Sequence, residues 1–283
     1  MTVVLRTIAE ARNWVGEQRR AGRTLGLVPT LGALHEGHAS HFRRARATCD
    51  RVAISIFVNP LQFGAGEDYE RYPRPFEADL RLAEKEGVDA VFAPDAKEMY
   101  PAASEIVVEP GRLGEVLCGA SRPGHFRGVL TVVAKLLHIL QPDRTFFGQK
   151  DAQQVVLIQR MVAELNFPVE IEVGPTIREP DGLALSSRNA YLSAAERAQA
   201  SVLYRALRRA ETLLASGERQ ASRLEQEMQA MIQAAPGAQL DYARVVDRRT
   251  LEPVTAVEGE ALAAVAVRFG KTRLIDNLVL GQG

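Results

Sequence analysis

The stretch that decides the fold is TLGLVPTLGALHEGHASHFRRARATCDRVAISIFV, residues 24–58. It begins with the short apolar run 24–29 and passes through a glycine-bearing turn into a helical pattern over 38–49. It ends in the run 51–58, whose apolar, β-branched residues are typical of a strand buried on both faces. Strand, helix and strand in this order predict two parallel strands joined by a crossover helix.

The same alternation continues to about residue 175. Helices are expected over 76–86, 129–140 and 151–165, and strands over 89–93, 144–148 and 169–173. Apolar residues nearly surround the 129–140 helix, which predicts that it is buried. We therefore predict an α/β fold, a Rossmann-like doubly wound parallel sheet, in a domain of residues 1–176.

The pattern changes after the turn signal Pro180-Asp181-Gly182. Helical patterns over 194–215 and 221–234 are followed by alternating strands at 240–246, 261–269 and 272–280. Helices followed by strands predict a smaller C-terminal α+β domain. We assign it residues 177–283 and expect it to close over a ligand cleft at the carboxyl ends of the parallel strands.

Composition excludes several classes of protein. The 283 residues are 46% hydrophobic and 25% charged, with a net charge of zero, which argues against a nucleic-acid partner. The sequence has no 18-residue apolar run and no signal-peptide core, so no membrane association and a cytoplasmic location are expected. Cys49 and Cys118 are too few for a disulfide framework or a thiolate metal site, which fits a reducing compartment.

Two histidines lie in the turn at the start of the 38–49 helix. His35 and His38 are three residues apart and can project to one side of the first turn, where a helix N-terminus attracts phosphate. Imidazoles there could stabilise charge that develops at an α-phosphate. A capping turn with two surface histidines is the alternative. A zinc pair is another, although His-x-x-His without a third ligand is a poor site. His41 extends the spacing but falls on a rotated face.

A second strand-to-helix junction is Phe147-Gly148-Gln149-Lys150-Asp151. The chain has only five lysines, so the location of Lys150 is informative. A lysine there can act as a mobile point charge on phosphates, whereas the helix dipole disfavours a merely solvated lysine at a helix start. Gln153 and Gln154 follow, and one of them could face the ligand cleft.

Three further segments carry polar groups. Ser-Ser-Arg at 186–188 could clamp a triphosphate, although this tripeptide is common in loops. The basic loop 121–128 could be a mobile lid that brings Arg122 and His125 over an anionic substrate, or simply a solvated loop. Gln62 follows the central strand, where the sheet would direct it into the cleft.

Taken together, these segments resemble the pantothenate synthetase family, enzymes that join pantoate to β-alanine at the expense of ATP. The resemblance spans nearly the whole chain. It depends on six segments in order: Pro-Thr-Leu-Gly-Ala-Leu-His-Glu-Gly-His at 29–38, Ser-Ile-Phe-Val-Asn-Pro-Leu-Gln-Phe at 55–63, Tyr-Pro-Arg at 72–74, Arg-Pro-Gly-His-Phe-Arg-Gly at 122–128, Phe-Gly-Gln-Lys-Asp at 147–151, and Asp-Gly-Leu-Ala-Leu-Ser-Ser-Arg-Asn at 181–189. The His-Glu-Gly-His element also belongs to the wider nucleotidyltransferase superfamily, which includes class I aminoacyl-tRNA synthetases.

The resemblance implies a two-step reaction with ATP as co-substrate and Mg²⁺ present. Pantoate first attacks the α-phosphate, which releases pyrophosphate and leaves pantoyl-adenylate. The amine of β-alanine then attacks the adenylate, giving pantothenate and AMP. A homodimer is also implied. The alternatives are another adenylyl-transferring enzyme of the superfamily and a non-enzymatic nucleotide-binding regulatory module.

The resemblance also implies roles for individual residues. Catalytic roles fall to His38, His35, Lys150 and Arg188, and substrate contacts with pantoate and β-alanine to Gln62 and Gln154. Tyr72, Arg122 and His125 would form a gate, and Asp79 would bind magnesium. Contacts with ATP are implied for Leu31, Gly32, Ala33, Leu34, His35, Glu36, Gly37, His38, Gly148, Gln149, Lys150, Asp151, Ile177, Leu185, Ser186, Ser187 and Arg188.

Three positions depart from the family pattern. Leu31 and Leu185 stand where methionine is typical, a volume-conserving exchange that should leave function intact. His41 stands where the family usually has an apolar residue. This imidazole is expected either to alter local packing or to be exposed.

Overall fold

The structure is a computed structural model that describes residues 2–281, and the chain divides into two compact units. The first unit contains the residues up to Glu115, together with Arg122–Gly148 and Leu157–Pro175. The second contains Val116–Ser121, Gln149–Val156 and the residues from Thr176 onward. The main division therefore falls between residues 175 and 176, and two short earlier segments belong with the second unit.

A six-stranded parallel sheet forms the centre of the first unit. Its strands lie in the order β1-β4-β3-β2-β5-β6, so the strand order reverses between β2 and β5. In such sheets ligands bind beside the carboxyl ends of the strands at this reversal. The doubly wound parallel sheet predicted from the sequence is confirmed. The strands are β1 (Val3–Leu5), β2 (Leu25–Thr30), β3 (Arg51–Ile56), β4 (Ala90–Phe92), β5 (Arg144–Gly148) and β6 (Glu170–Gly174).

Helices connect these strands largely as the sequence pattern predicted. The first strand and the first helix were not predicted; the helix begins with a capping box between Thr7 and Glu10. The buried helix starts at His125, four residues earlier than expected, so most of the predicted loop 121–128 is helical. The helices in this part of the chain are α1 (Ile8–Arg20), α2 (Glu36–Thr48), α3 (Phe76–Lys85), α4 (Ala96–Met99), α5 (Cys118–Ser121), α6 (His125–Leu140) and α7 (Ala152–Glu164).

One part of the core of the first unit lies where α2 covers the sheet. Phe42 of α2 packs with Val28 of β2, Ile54 of β3 and Phe146 of β5, and all four side chains are at most 1% exposed. Burying side chains of this size stabilises the folded state by about 1.5–3 kcal/mol each. This packing fixes the first turn of α2 beside the carboxyl end of β2.

The second unit combines helices with a three-stranded antiparallel sheet of order β7-β8-β9. This confirms the predicted smaller α+β domain, except that the single helix expected over 194–215 is interrupted at Ser201. The core of the second unit includes Leu207, Leu224, Val265 and Phe269, all fully buried. No helix within residues 2–281 is long and apolar enough to cross a membrane. The elements are α8 (Ala194–Ala200), α9 (Val202–Ala215), α10 (Ala221–Gln233), β7 (Ala238–Asp247), β8 (Ala261–Phe269) and β9 (Thr272–Leu280).

Candidate active site

The two histidines predicted to bind phosphate lie together at the N-terminus of α2. Their ring centroids are 4.1 Å apart. The Nδ1 atom of His35 accepts a hydrogen bond from the Gly37 amide at 3.1 Å, and Nδ1 of His38 accepts from the His35 amide at 3.2 Å. The pair therefore caps the helix, as one of the alternatives proposed. Because Nδ1 is the acceptor in each ring, the proton of the neutral imidazole lies on Nε2.

Asp79 of α3 holds the turn that precedes this helix. Its side chain is 2% exposed, and its two carboxylate oxygens accept hydrogen bonds from the amides of Ala33 (2.9 Å) and Leu34 (2.7 Å). Burial raises the pKa of the Asp79 carboxyl, and the two amide hydrogen bonds oppose that rise. The main visible role of Asp79 is thus to hold the turn, in contrast to the magnesium role that the resemblance implied.

The turn itself has an unusual backbone. Gly32 and Ala33 both have positive φ, +88° and +51°. A left-handed conformation costs roughly 1 kcal/mol or more for an alanine, so surrounding contacts must enforce it. The bonds from Ala33 and Leu34 to Asp79 provide that enforcement. The carboxylate of Glu36 bonds to Arg43 on the surface at 2.7 Å.

Gln62 is the buried residue of a 3-10 turn, Pro60–Gln62, that follows β3. Its Oε1 accepts a hydrogen bond from Asn59 Nδ2 at 3.2 Å. Asn59 is fully buried, donates also to the carbonyl of Gly128, and accepts from the Tyr100 hydroxyl at 2.9 Å. A Cβ at Gly128 would collide with the carbonyl of Leu61, so only glycine lets α6 approach this turn.

Arg122 and His125 are also attached to this turn. Arg122 forms an ion pair with Glu67 at 2.6 Å and donates through Nη1 to His125 Nε2 at 2.8 Å. His125 Nδ1 then donates to the main-chain carbonyl of Gln62 at 2.8 Å. In this conformation the two expected gate residues are held by specific bonds. Tyr72, the third, is buried with its ring edge-on to Phe63 at 6.0 Å.

His41 is buried, so of the two expected outcomes the exposed imidazole is wrong. The ring lies against the last residues of β5 and β6, which are both glycines. A Cβ at Gly174 would lie 2.6 Å from His41 Nδ1, and a Cβ at Gly148 would lie 3.2 Å from Nε2. The imidazole therefore occupies space that any larger residue at these two strand ends would fill.

In the second unit, the predicted residues Gln149, Lys150 and Asp151 form a 3-10 turn that leads into α7. The ammonium of Lys150 is 3.6 Å from the Asp151 carboxylate and its side chain is 21% exposed. Asn277 of β9 donates through Nδ2 to the carbonyls of Gln149 and Lys150, both at 2.9 Å. Gln149 Nε2 returns a bond of 2.9 Å to Asn277 Oδ1.

The two glutamines that follow this turn differ. Gln153 is buried; its Oε1 accepts from the Cys118 amide at 2.9 Å and its Nε2 donates to the Val116 carbonyl at 2.7 Å. Its amide is thus engaged in holding a backbone segment of the second unit. Gln154 is only half-buried, so of the pair it is the better candidate to meet a substrate.

The remaining predicted ATP residues lie in a loop at 176–189. The Leu185 amide donates to the Ile177 carbonyl at 2.9 Å, which brings these two predicted residues together. Ser186 caps a 3-10 helix, Ser187–Tyr191, by accepting from the Arg188 amide at 3.3 Å. The segment 186–188 is therefore an ordered turn with Ser187 and Arg188 at its start.

Ion pairs fasten the base of this loop. Arg178 donates to both carboxylate oxygens of Asp276, at 2.6 and 3.0 Å, and stacks over the ring of Tyr204 at 4.0 Å. Burial raises the pKa of the Asp276 carboxyl, and Arg178 opposes the rise. Arg197 bonds to Glu179 and Asp181 at 2.7 and 2.6 Å.

A resident metal ion would need a cluster of ligating side chains. Among residues 2–281, no three His, Cys, Asp or Glu side chains cluster closely enough to hold one. The zinc alternative for the histidine pair is therefore without support. The side chains present do not fit an all-protein magnesium site, which would need several oxygen ligands.

Sequence reasoning missed the structural roles of three buried residues: Asn59, Gln153 and Asn277. Gln153 was considered only as a residue that could face the cleft, and Asn59 lies near Gln62, which is a weak local signal. Asn277 lies far along the chain from Lys150, and nothing in the sequence pairs them. It lies in a strand whose apolar and polar residues alternate in the ordinary way.

Comparisons with known proteins find relatives over nearly the whole chain. The profile of the family described as pantoate-beta-alanine ligase matches residues 3–279. The pantothenate synthetase of Heliobacterium modesticaldum is 57% identical over 98% of this chain and 99% of its own. The crystal structure of pantothenate synthetase from Thermus thermophilus has a TM-score of 0.92 at 45% identity and covers 98% of both chains.

A further solved structure is that of a pantoate-beta-alanine ligase from Francisella tularensis, described as complexed with beta-gamma ATP and beta-alanine. It has a TM-score of 0.82 at 34% identity, covering 99% of this chain and 98% of that one. Matches of this length and identity define a shared family. The chain therefore belongs to the pantoate–β-alanine ligase, or pantothenate synthetase, family of enzymes.

Proposed function

We propose that this chain condenses (R)-pantoate with β-alanine through a pantoyl-adenylate intermediate, consuming ATP and releasing AMP and pyrophosphate. The observation that carries the proposal is the histidine pair at the N-terminus of α2. Both rings accept backbone hydrogen bonds through Nδ1, so both present Nε2–H as the donor. Two donors beside a helix N-terminus suit phosphate oxygens on which negative charge develops.

In the first step, a carboxylate oxygen of pantoate forms a bond to the α-phosphorus of ATP. The bond from that phosphorus to the bridging oxygen breaks, and pyrophosphate leaves with the electron pair. We assign His35 and His38 to the phosphate oxygens, with His38 the more important. Lys150 and Arg188 would supply positive charge to the same phosphates, since ammonium and guanidinium groups bind them well.

Other residues would bind without reacting. ATP contacts are assigned to the backbone over 31–37, to Gly148, Gln149 and Asp151, and to the 176–189 loop through Ile177, Leu185, Ser186 and Ser187. The bond between Leu185 and Ile177 supports assigning that pair to one part of the nucleotide. Gln62 and Gln154 would hold pantoate. The side-chain amide of Gln153 already bonds to the backbone of Cys118 and Val116, which favours Gln154 over Gln153 for this role.

In the second step, the amine of β-alanine attacks the acyl carbon of the mixed anhydride. The bond from that carbon to the AMP oxygen breaks, the amine loses a proton, and an amide forms. The Francisella tularensis ligase is described as a complex with β-alanine and beta-gamma ATP together. This supports the same two substrate classes for the present chain.

Magnesium would enter as the MgATP complex and so as part of the substrate. The structure supports this interpretation because no protein cluster of three or more ligands lies within residues 2–281. Mg²⁺ at nucleotide sites commonly keeps its waters and is held chiefly by phosphates. Asp79 could then contribute at most indirectly, through the turn that it holds.

The test is pantoate-dependent exchange of labelled pyrophosphate into ATP without β-alanine. Exchange that requires pantoate is the expected result, because formation of the adenylate is reversible. Absence of exchange in an enzyme that still makes pantothenate would overturn the adenylate intermediate. Exchange with a different acid would redirect the substrate assignment and favour another adenylyl-transferring enzyme.

The proposal includes a cytoplasmic homodimer. Cys49 and Cys118 are both buried free thiols, which supports a reducing compartment. Ile106 is 89% exposed and the adjacent Val107 37%, which supports a contact with a second copy. Sedimentation equilibrium at micromolar concentration tests this, and a monomer there would contradict the dimer.

A further inference from the structure

We infer that Asn277, in the last strand of the second unit, is a positioning residue for Lys150 in the adenylation step. This inference rests on the proposed function, since it takes Lys150 as a phosphate-binding residue. Asn277 itself would not touch ATP. It would act by fixing the backbone of the turn that carries the lysine.

The hydrogen bonds of Asn277 support this role. Its Nδ2 donates to the carbonyls of both Gln149 and Lys150 at 2.9 Å, and its Oδ1 accepts from the Gln149 side chain at 2.9 Å. An amide nitrogen has two protons to donate, and both are used on consecutive carbonyls of one turn. The orientation of the turn is therefore specified by a single side chain.

The burial of Asn277 makes these bonds strong constraints. The residue is 4% exposed, in a strand whose neighbour Asp276 is 3% exposed. An unmade hydrogen bond at a buried site costs far more than one that water can replace. The carboxylate of Asp276 also accepts a hydrogen bond from the main-chain N–H of Asn277 at 2.8 Å, and Arg178 in turn holds that carboxylate. The position of Asn277 is thus itself fixed.

The turn that Asn277 holds is short. The 3-10 helix Gln149–Asp151 is three residues long, and the helix that follows begins only at Ala152. Short 3-10 segments have poorer hydrogen-bond geometry than α-helices. A lysine side chain has a long flexible stem, so the position of its ammonium depends on where the backbone begins. Misplacement of a catalytic group by about 1 Å can cost on the order of 100-fold in rate.

The decisive variant is Asn277→Asp, which keeps the shape but replaces the two N–H donors by an oxygen that faces two carbonyls. We expect kcat for pyrophosphate exchange to fall by about 10- to 100-fold, and the affinity for ATP, measured by direct titration, to fall as well. Leu278→Ala is the matched control. It removes a partly buried side chain from the same strand without touching the turn, so it should lower thermal stability and leave kcat unchanged.

A double-mutant cycle separates positioning of Lys150 from general damage. In a Lys150→Ala background, Asn277→Asp should weaken ATP binding by no more than about twofold, because there is no ammonium left to position. An equal weakening in both backgrounds, or full activity in Asn277→Asp, would overturn the inference. If Asn277→Asp does not fold, Asn277→Ser, which keeps one donor, is judged by the same cycle. A wild-type enzyme without exchange would instead defeat the proposed function, so the two failures are distinguishable.

Discussion

Two strand-to-helix turns carry most of the proposed chemistry, and they are held by opposite means. The turn after β2 is held by Asp79, a carboxylate that accepts hydrogen bonds from the amides of Ala33 and Leu34. The turn after β5 is held by Asn277, an amide that donates to the carbonyls of two consecutive residues.

The difference follows from which backbone groups each turn presents. The residues ahead of α2 present amides, so they need an acceptor, and an ionised aspartate has only acceptors. The 149–151 turn presents carbonyls, so it needs a donor, which an asparagine supplies. One buried side chain therefore holds each turn through its particular set of donors and acceptors, and exchanges between Asp and Asn should disrupt both.

The largest effect, a loss of activity, is expected for a substitution of His38, which follows the first turn. His38→Ala should lower kcat of pyrophosphate exchange by about 100- to 1,000-fold with a modest loss of ATP affinity, because it removes a donor used chiefly in the transition state. Steady-state kinetics and ATP titration measure the two quantities. Turnover that survives the substitution would reduce the histidine to a helix cap.

Thr7→Ala is the matched control for His38→Ala. Thr7 caps α1 by accepting from the Glu10 amide at 3.1 Å. Its loss should cost about 1 kcal/mol of stability and leave turnover unchanged. A similar fall in kcat for both variants would mean that capping alone explains the histidine.

The second effect is a loss of stability when Asp79, the hydrogen-bond acceptor of the first turn, is replaced. Asp79→Asn replaces one acceptor by an NH₂ group that faces a backbone amide, so we expect a loss of about 1–3 kcal/mol in the free energy of unfolding. Urea denaturation measures it. The apparent affinity for Mg²⁺ in the exchange assay should stay within about twofold, since the ion comes with ATP. A strong increase in the Mg²⁺ requirement would return Asp79 to the role of a metal ligand.

The third effect concerns the glycine that ends β6. Gly174→Ala would bring a methyl group to 2.6 Å from Nδ1 of the buried ring of His41. Overpacking of this kind costs about 1–3 kcal/mol. Adding His41→Ala should recover part of that loss, because the smaller side chain makes room. Thermal unfolding of the two single variants and the double variant measures the coupling, and strictly additive losses would argue against contact between the two positions.

The smallest effect is a pH dependence at the Gln62 turn. Burial alone would raise the pKa of Glu67, but the hydrogen bonds and charge of Arg122 bring it below its ordinary value of 4.5. A pKa that is lowered in the folded state contributes stability above pH 4.5, and this stability is lost as the pH falls through the pKa of the folded state. Glu67→Gln should thus be less stable by about 1 kcal/mol at pH 7, and the gap should close below pH 4.5. A gap that stays constant down to about pH 3.5 would contradict this assignment.

Local patterns predicted much of the fold. The apolar run 51–58 and the periodicity of 129–140 specify their elements because burial on both faces leaves few other arrangements. The first strand, three residues long, was missed because so short an element has no periodicity. The interruption at Ser201 was missed because the apolar pattern runs through it.

The sequence by itself determined the parallel sheet, the α+β character of the second unit and the family, because each depends on residues that are close together in the chain. Tertiary structure alone decided the rest: that Asp79 holds the first turn, that His41 lies against two strand-end glycines, and that Asn277 holds the turn of Lys150. Asp79 and Asn277 are 46 and 128 residues from groups that they bind. No local periodicity encodes such pairings, because they exist only once the packed core has brought distant segments within hydrogen-bond distance.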